Sequence, residues 1–445
     1  MRLQLSARVI VLLVCALGGA ARVACTAEPD SGFVAARQAF LKEMKKKSPT
    51  ARAEAIAAFA KYPISETAET LLKRGLGDLD PTVRVATRKA LREIGQDPKS
   101  VKSLIEEFKR YVKKQANEEV LSGLLGGMIA TTDEARQAEV LKTLEEYLAG
   151  PRANLIVPMS LIDDLAEQGG VDSVNSIKLL TRVKPFETQF GYRRCVVQAM
   201  SKIRESAAIG FLVEMLPGAK GLVQAEIIQH LSQTTKQKFK DSDRDWSLWW
   251  KDNQSAFQFP PAQAAADDPV DNNQTTYYGI PLCAKRVVFV LDTSGSMRGQ
   301  PLEAAKMALL KTVESLPEAV NFDIVMFDKT ATVWQPRLVP ATLPLKQMAA
   351  QTVIARGMQV GTASHAALNA AFNLDPEVIY FLSDGEPTDG QPVQIVEAMS
   401  ERNRTRRITI HTIGVVTQRG GGAGLTFFMK PLAEHNWGLF RLVEQ

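Results

Sequence analysis

Val287-Val288-Phe289-Val290-Leu291-Asp292-Thr293-Ser294-Gly295-Ser296-Met297 is the stretch on which the reading of this chain turns. Its first five residues are an unbroken β-branched and apolar run, which suits a parallel strand buried on both faces better than a strand wetted on one. The run then stops in an acid and a group of small hydroxyl residues. Working outward, residues 301–316 read as a helix, 322–327 as a strand and 330–334 as a short edge strand. Residues 345–356 and 364–372 read as helices, 378–382 as a strand, 393–402 as a helix and 408–413 as a strand. A helix around 425–434 and a strand at 439–443 close the chain. Strands alternating with helices of these lengths predict a doubly wound, Rossmann-like α/β sheet with one short antiparallel edge over residues 285–445.

Such sheets bind ligands beyond the carboxyl ends of their strands. The first strand ends in Asp292, Ser294 and Ser296, and the central strand ends in Ser383-Asp384-Gly385. Gly361-Thr362 lies between them, just before a helix. In this fold the three loops converge at one rim. They supply two carboxylates, Asp292 and Asp384, and three hydroxyls, Ser294, Ser296 and Thr362. That all-oxygen set suits Mg²⁺ rather than zinc. Without a cation the two acids sit close with like charge, which disfavours ionising both. Asp389 is expected to be a turn residue, and His365 a surface or capping residue. The run Gly420-Gly421-Gly422-Ala423-Gly424 lacks the Gly-Lys-Ser/Thr ending of a phosphate loop and reads as a loop beside the rim.

The three elements, in this order, resemble the von Willebrand factor A family and its metal-ion-dependent adhesion site: Asp292-x-Ser294-x-Ser296, then Thr362, then Asp384. The resemblance covers residues 285–445. It implies that Ser294, Ser296 and Thr362 ligate the ion directly and that Asp292 and Asp384 act through water. It also implies Mg²⁺, Mn²⁺ or Ca²⁺ as the metal, and a sixth position open to an Asp or Glu carboxylate of a protein partner. In the family the final helix, here 425–434, shifts when ligand binds. Val360 departs from the pattern, standing where relatives often carry a second glycine.

The rest of the 445-residue chain reads differently. Hydrophobic residues at 45%, charged residues at 23% and a net charge of +5 exclude a wholly disordered or fibrous chain. Lys45-Lys46-Lys47 and the group Arg402, Arg404, Arg406 and Arg407 read as solvated faces or helix ends, so no nucleic-acid partner is expected. Residues 1–27 predict a secretory signal peptide: Arg2 and Arg8, an apolar core at 9–17, then small residues, with cleavage after Ala24 or Ala27. Lipid attachment at Cys25 is the alternative, with Arg22 in a place usually aliphatic. The expected location is outside the cell or in the envelope or periplasm, with no membrane span after cleavage.

Residues 30–255 show apolar positions at helical spacing. In residues 80–95, Asp80 is a good N-cap, Pro81 fits the first turn and Gly95 suits the exit. Val83, Ala86, Ala90, Leu91 and Ile94 form one stripe. Weaker copies follow at 192–203 and 225–231, about thirty residues apart, as stacked helical pairs require. The segments resemble HEAT repeats in their Val-Arg-x-x-Ala/Thr-x-x-Ala-Leu-x-x-Ile-Gly helix; residues 100–190 are helical without a motif, and a generic helical bundle is the alternative. Trp246, Trp249 and Trp250 share one helix face and are expected to cap the last repeat. His230 reads as a packing residue and Cys195 as a buried thiol, with no disulfide to Cys283. Residues 256–284 read as a linker in which Tyr277-Tyr278-Gly279-Ile280 docks onto a flanking domain.

The expected protein is therefore a non-enzymatic binding protein: an all-α, HEAT-like repeat region followed by a von Willebrand factor A-type domain. One alternative is a scaffold whose repeats bind the partner while the metal is structural. A metal-assisted hydrolase lacks a nearby base or second metal cluster. RNA binding of the kind suggested by resemblance to the Ro autoantigen family lacks a broad basic surface and conflicts with the export signal.

Overall fold

The computed structural model describes residues 31–261, 275–417, 422 and 424–444. The expected signal peptide with Cys25, the linker between 262 and 274 and most of the glycine run at 420–424 lie outside the described residues.

The described residues of the first half are all helical, with fourteen α-helices from Ser31–Glu43 to Asp243–Asn253. Pro49–Phe59, Pro81–Gly95, Glu118–Ile129, Ile156–Gln168, Phe190–Lys202 and Gly221–Thr235 begin 32, 37, 38, 34 and 31 residues apart, and each packs on the next. A second layer, including Pro98–Lys113, Glu134–Leu148 and Ser206–Met215, backs this row. The spacing persists through 100–190, where no motif is visible, because burial of Leu124, Met128, Val157 and Leu161 needs only aliphatic residues at the right pitch.

Local chemistry explains the best-marked helix. The Asp80 carboxylate accepts a hydrogen bond from the Thr82 amide at 2.8 Å, and Pro81 opens the first turn. Val83, Ala90, Leu91 and Ile94 are buried, while Ala86 is half-buried. Gly95 is the last helical residue and Gln96 takes the cap; a Cβ at Gly95 would stand 1.7 Å from the Gly127 carbonyl oxygen. At the far end Trp246 and Trp250 are buried, Trp249 is half-buried, and the Trp246 indole N–H donates to the Lys240 carbonyl at 3.0 Å. His230 is half-buried among these helices, and burial lowers its pKa to about 4. Cys195 is buried, its thiol 3.7 Å from the Met159 carbonyl, and no disulfide joins it to Cys283.

The second half begins with a small hairpin, β1 (Thr276–Tyr277) and β2 (Ile280–Pro281). It belongs to the sheet domain: Tyr277 packs edge-on against Phe289 and Tyr380, and the Tyr380 hydroxyl donates to the Pro281 carbonyl at 2.8 Å. The main sheet comprises β3 (Arg286–Asp292), β4 (Asn321–Phe327), β5 (Ala331–Val333), β6 (Val339–Pro340), β7 (Val378–Ser383), β8 (Thr409–Val416) and β9 (Phe440–Glu444). Their order is β5-β4-β3-β7-β8-β9, with β6 also on β4. The central pairs are parallel and only β5 and β6 run antiparallel, so the edge has two short pieces rather than one. One sheet face buries Val287, Phe289 and Leu291, and the other buries Val288 and Val290.

The two halves are docked. Every contact below falls where the chain enters a strand. Before β7, the Glu377 carboxylate accepts from the Leu222 amide at 2.9 Å and the Lys285 amide at 3.0 Å, capping helix Gly221–Thr235 from the other domain. Before β8, Arg407 donates to Asp163 and Gln198 and its carbonyl accepts from Arg194. Before β9, the guanidinium groups of Arg194 and Arg407 lie 5.5 and 5.0 Å from the centre of the Trp437 ring. Gly191 lets this happen, since a Cβ there would stand 2.0 Å from the Thr405 carbonyl oxygen.

Candidate functional site

The opposite ends of β3 and β7 carry the candidate residues. In-register pairing of Leu291 with Leu382 places the next residues, Asp292 and Ser383, side by side. The Ser383 hydroxyl donates to Asp292 Oδ2 at 2.5 Å, and the Ser294 amide donates to Asp292 Oδ1 at 2.8 Å. A short turn at Gly295–Met297 then brings Ser296 back over Ser294, with their hydroxyls 3.0 Å apart. Ser296 donates to Asp384 Oδ1 at 2.9 Å, and Thr417, just past β8, donates to Asp384 Oδ2 at 3.0 Å. Asp292, Ser294, Ser296 and Asp384 are thus one hydrogen-bonded group.

Thr362 reaches the same rim by its backbone rather than by a side-chain hydrogen bond to the other four. Gln359 forms a parallel bridge with Ser294. The Thr362 amide donates to the Thr388 hydroxyl at 2.8 Å, and the Thr388 amide returns a bond to the Thr362 carbonyl at 2.9 Å, tying the loop to the one that follows Asp384. Gly361 makes the turn at φ +116°, where a Cβ would also meet the Lys329 backbone at 3.1 Å. Val360 beside it is exposed.

Behind the rim, Arg356 pairs with buried Asp328 at 2.6 Å, and the Asp328 carbonyl accepts from the Ala363 amide at 2.7 Å. The Thr293 hydroxyl donates to the Phe327 carbonyl at 3.0 Å. This brace fixes the first and second loops to the end of β4. Asp389 is more than a turn residue: its carboxylate accepts from the His365 and Ala366 amides at 3.1 and 2.9 Å, capping helix Ser364–Asn373. Sequence reasoning assigned no role to Ser383 or Thr417. The available signal was their position, one at the end of β7 and one just past β8.

Asp292 and Asp384 are both inaccessible to solvent. Burial pushes Asp292 up to about 7; hydrogen bonds from Ser383 and Ser294 oppose this, and the nearby Asp384 charge adds to it. Burial also raises Asp384, against hydrogen bonds from Ser296 and Thr417. Among the described residues no group of three or more His, Cys, Asp or Glu could hold a metal. The donors at the rim are instead two carboxylates with hydroxyls, an all-oxygen set compatible with a hard divalent cation.

Parallel central strands, helices on both faces and a polar rim at the strand exits define a Rossmann-like α/β domain. Residues 285–433 match the family model described as von Willebrand factor type A domain, and the C-terminal half is a domain of that type. The chain is 34% identical over 146 residues to inter-alpha-trypsin inhibitor heavy chain H1 of Mesocricetus auratus, covering 29% of this chain and 16% of that protein. It is 31% identical over 196 residues to heavy chain H4 of Homo sapiens, covering 40% and 20%. The chain therefore spans a fifth or less of the length of these curated relatives. A von Willebrand factor type A structure from Catenulispora acidiphila aligns at 20% identity and TM-score 0.33, over 37% of this chain and 40% of that one.

Proposed function

We propose that the protein binds a partner protein through a divalent cation held at the rim by Ser294, Ser296 and Thr362, with Asp292 and Asp384 behind them. Mg²⁺ is the expected ion, with Mn²⁺ or Ca²⁺ as substitutes, and an Asp or Glu carboxylate of the partner completes its coordination. The observation that carries this reading is the buried group of Asp292, Ser294, Ser296 and Asp384: two carboxylates from separate loops, joined through serine hydroxyls into one all-oxygen set. A cation there offsets the burial of both acids.

The reading is of binding rather than catalysis. The hydrogen-bond partners of Asp292 and Asp384 are the Ser294 amide and the hydroxyls of Ser296, Ser383 and Thr417, with no histidine or lysine base among them. The basic, apolar and small-residue sequence of residues 1–27 supports action outside the cell or in the envelope. No helix among the described residues is long and apolar enough to cross a membrane.

Affinity capture from envelope extracts tests the proposal. A partner is expected to be retained in Mg²⁺ and lost both in EDTA and with Asp292→Ala. Equal recovery under all three conditions overturns it.

A further inference from the structure

A polar groove of about 740 Å³ lies on the helical domain and shares no residue with the rim. It forms where helices Pro81–Gly95, Glu118–Ile129 and Ile156–Gln168 end and Gly170–Leu180 begins. Four cations line it: Lys89, Arg92, Lys178 and Arg182. Two acids, Glu93 and Asp172, also line it, and both are exposed.

The acids near these cations are exposed or already paired. Arg88, one turn before Arg92, is paired with Asp164 at 3.0 Å. Arg92 is half-buried, its stem lying over Gly126, yet it has no hydrogen-bond or ion-pair partner among the described residues. Burial lowers its pKa, and the charge of Arg88 acts in the same direction against Asp164 and Glu93. A guanidinium keeps its proton regardless and carries five donors. With no partner among the described residues, those donors stay open to an incoming anion. The ammonium of Lys178 rests 5.4 Å from the centre of the Phe211 ring rather than on an acid. A second feature points the same way. Ser173, also lining the groove, is 1% exposed, and its hydroxyl has no hydrogen-bond partner.

We propose that this groove binds an acidic peptide segment in extended form, with a carboxylate seated on Arg92. Gln96, Gln168 and Asn175 line the walls, and each amide offers both a donor and an acceptor, as a peptide backbone requires. A sulfated glycan lacks the regularly alternating backbone N–H and C=O groups that these amides would meet. The site stands apart from the cation rim, so the molecule carries two separate binding positions.

The test uses the full chain and a fluorescein-labelled hexaglutamate peptide, followed by fluorescence anisotropy at low salt. EDTA is present throughout, so that the rim holds no cation. Saturable binding is expected, weakened about tenfold or more by Arg92→Met and severalfold by Arg182→Gln, whose exposed side chain leaves folding intact. Asp292→Ala is expected to leave it unchanged, which separates failure here from failure at the rim. No saturable binding in EDTA overturns the proposal, as does an unchanged dissociation constant in both groove variants. Displacement by a heparin hexasaccharide at lower concentration than by unlabelled peptide also overturns it, assigning the groove to a sulfated glycan.

Discussion

Lowering the pH should loosen the grip of the rim on Mg²⁺ by an amount that Asp292 sets. Its carboxyl is pushed up to about 7 by burial, so near neutral pH a proton competes for the place the cation needs ionised. The unfolded value is about 3.9. A folded value raised above it means that, without metal, this group's stability contribution is complete below about pH 4 and is lost as the pH rises to about 7. The cation acts in the opposite direction, favouring the ionised form that the empty fold resists. Apparent Mg²⁺ affinity should therefore be nearly constant above pH 8, about tenfold weaker at pH 6 and about 100-fold weaker at pH 5. Calorimetric titration in two buffers of different ionisation enthalpy would count the protons released: about one per ion at pH 6 and close to none at pH 8. Asp292→Asn should abolish the pH dependence together with most of the affinity. Affinity that stays level from pH 8 to pH 5, with no proton release, would refute the reasoning, because it would mean that no buried acid has to ionise for the ion to enter.

Two further outcomes follow from other parts of the fold. Asp323 on β4 is buried with its carboxyl pushed up to about 7 by burial; Oδ1 accepts from the Ile324 and Gln335 amides, and Oδ2 has no partner. Asp323→Asn keeps those acceptor contacts and removes the cost of ionisation, so urea unfolding should show a gain over the parent that grows from about pH 4 and levels off above pH 7, at most about 4 kcal/mol; a gain independent of pH would contradict this. Gly191→Val places side-chain atoms where the Thr405 carbonyl sits, so the domains should part while each keeps its fold. Small-angle scattering should then report a larger radius of gyration and calorimetry two transitions, and an unchanged radius would show that the docking tolerates the clash.

The architecture was legible because buried parallel strands need long apolar runs. Val287–Leu291 and Val378–Leu382 could scarcely do anything else, and they form β3 and β7 within a residue or two. The group Asp292, Ser294, Ser296 and Asp384 was legible for the same reason, since strand exits in such sheets share one rim. What supports that group was not. Thr388, Arg356 with Asp328, and Asp389 act on residues 23 to 28 positions away, a distance at which one sequence carries no periodic signal. Gly95 closes its helix, but the approach of the Gly127 backbone to it was hidden, because a glycine that ends a helix and one that admits a neighbour look alike in sequence. The docking of the two halves was equally hidden: Arg194 sits on a helix like any solvated arginine, and only the fold brings Trp437 to it.

The attachment of the helical stack at the strand entrances, with the rim at the strand exits, governs how the molecule would carry tension. A pull between a partner held at the rim and an anchor on the helical half runs along β3, β7 and β8. Their evenly spaced backbone hydrogen bonds would be loaded together in shear instead of opened one at a time. The sheet would act as the stiff member, and the junction around Glu377, Arg407 and Trp437 as the element that yields first.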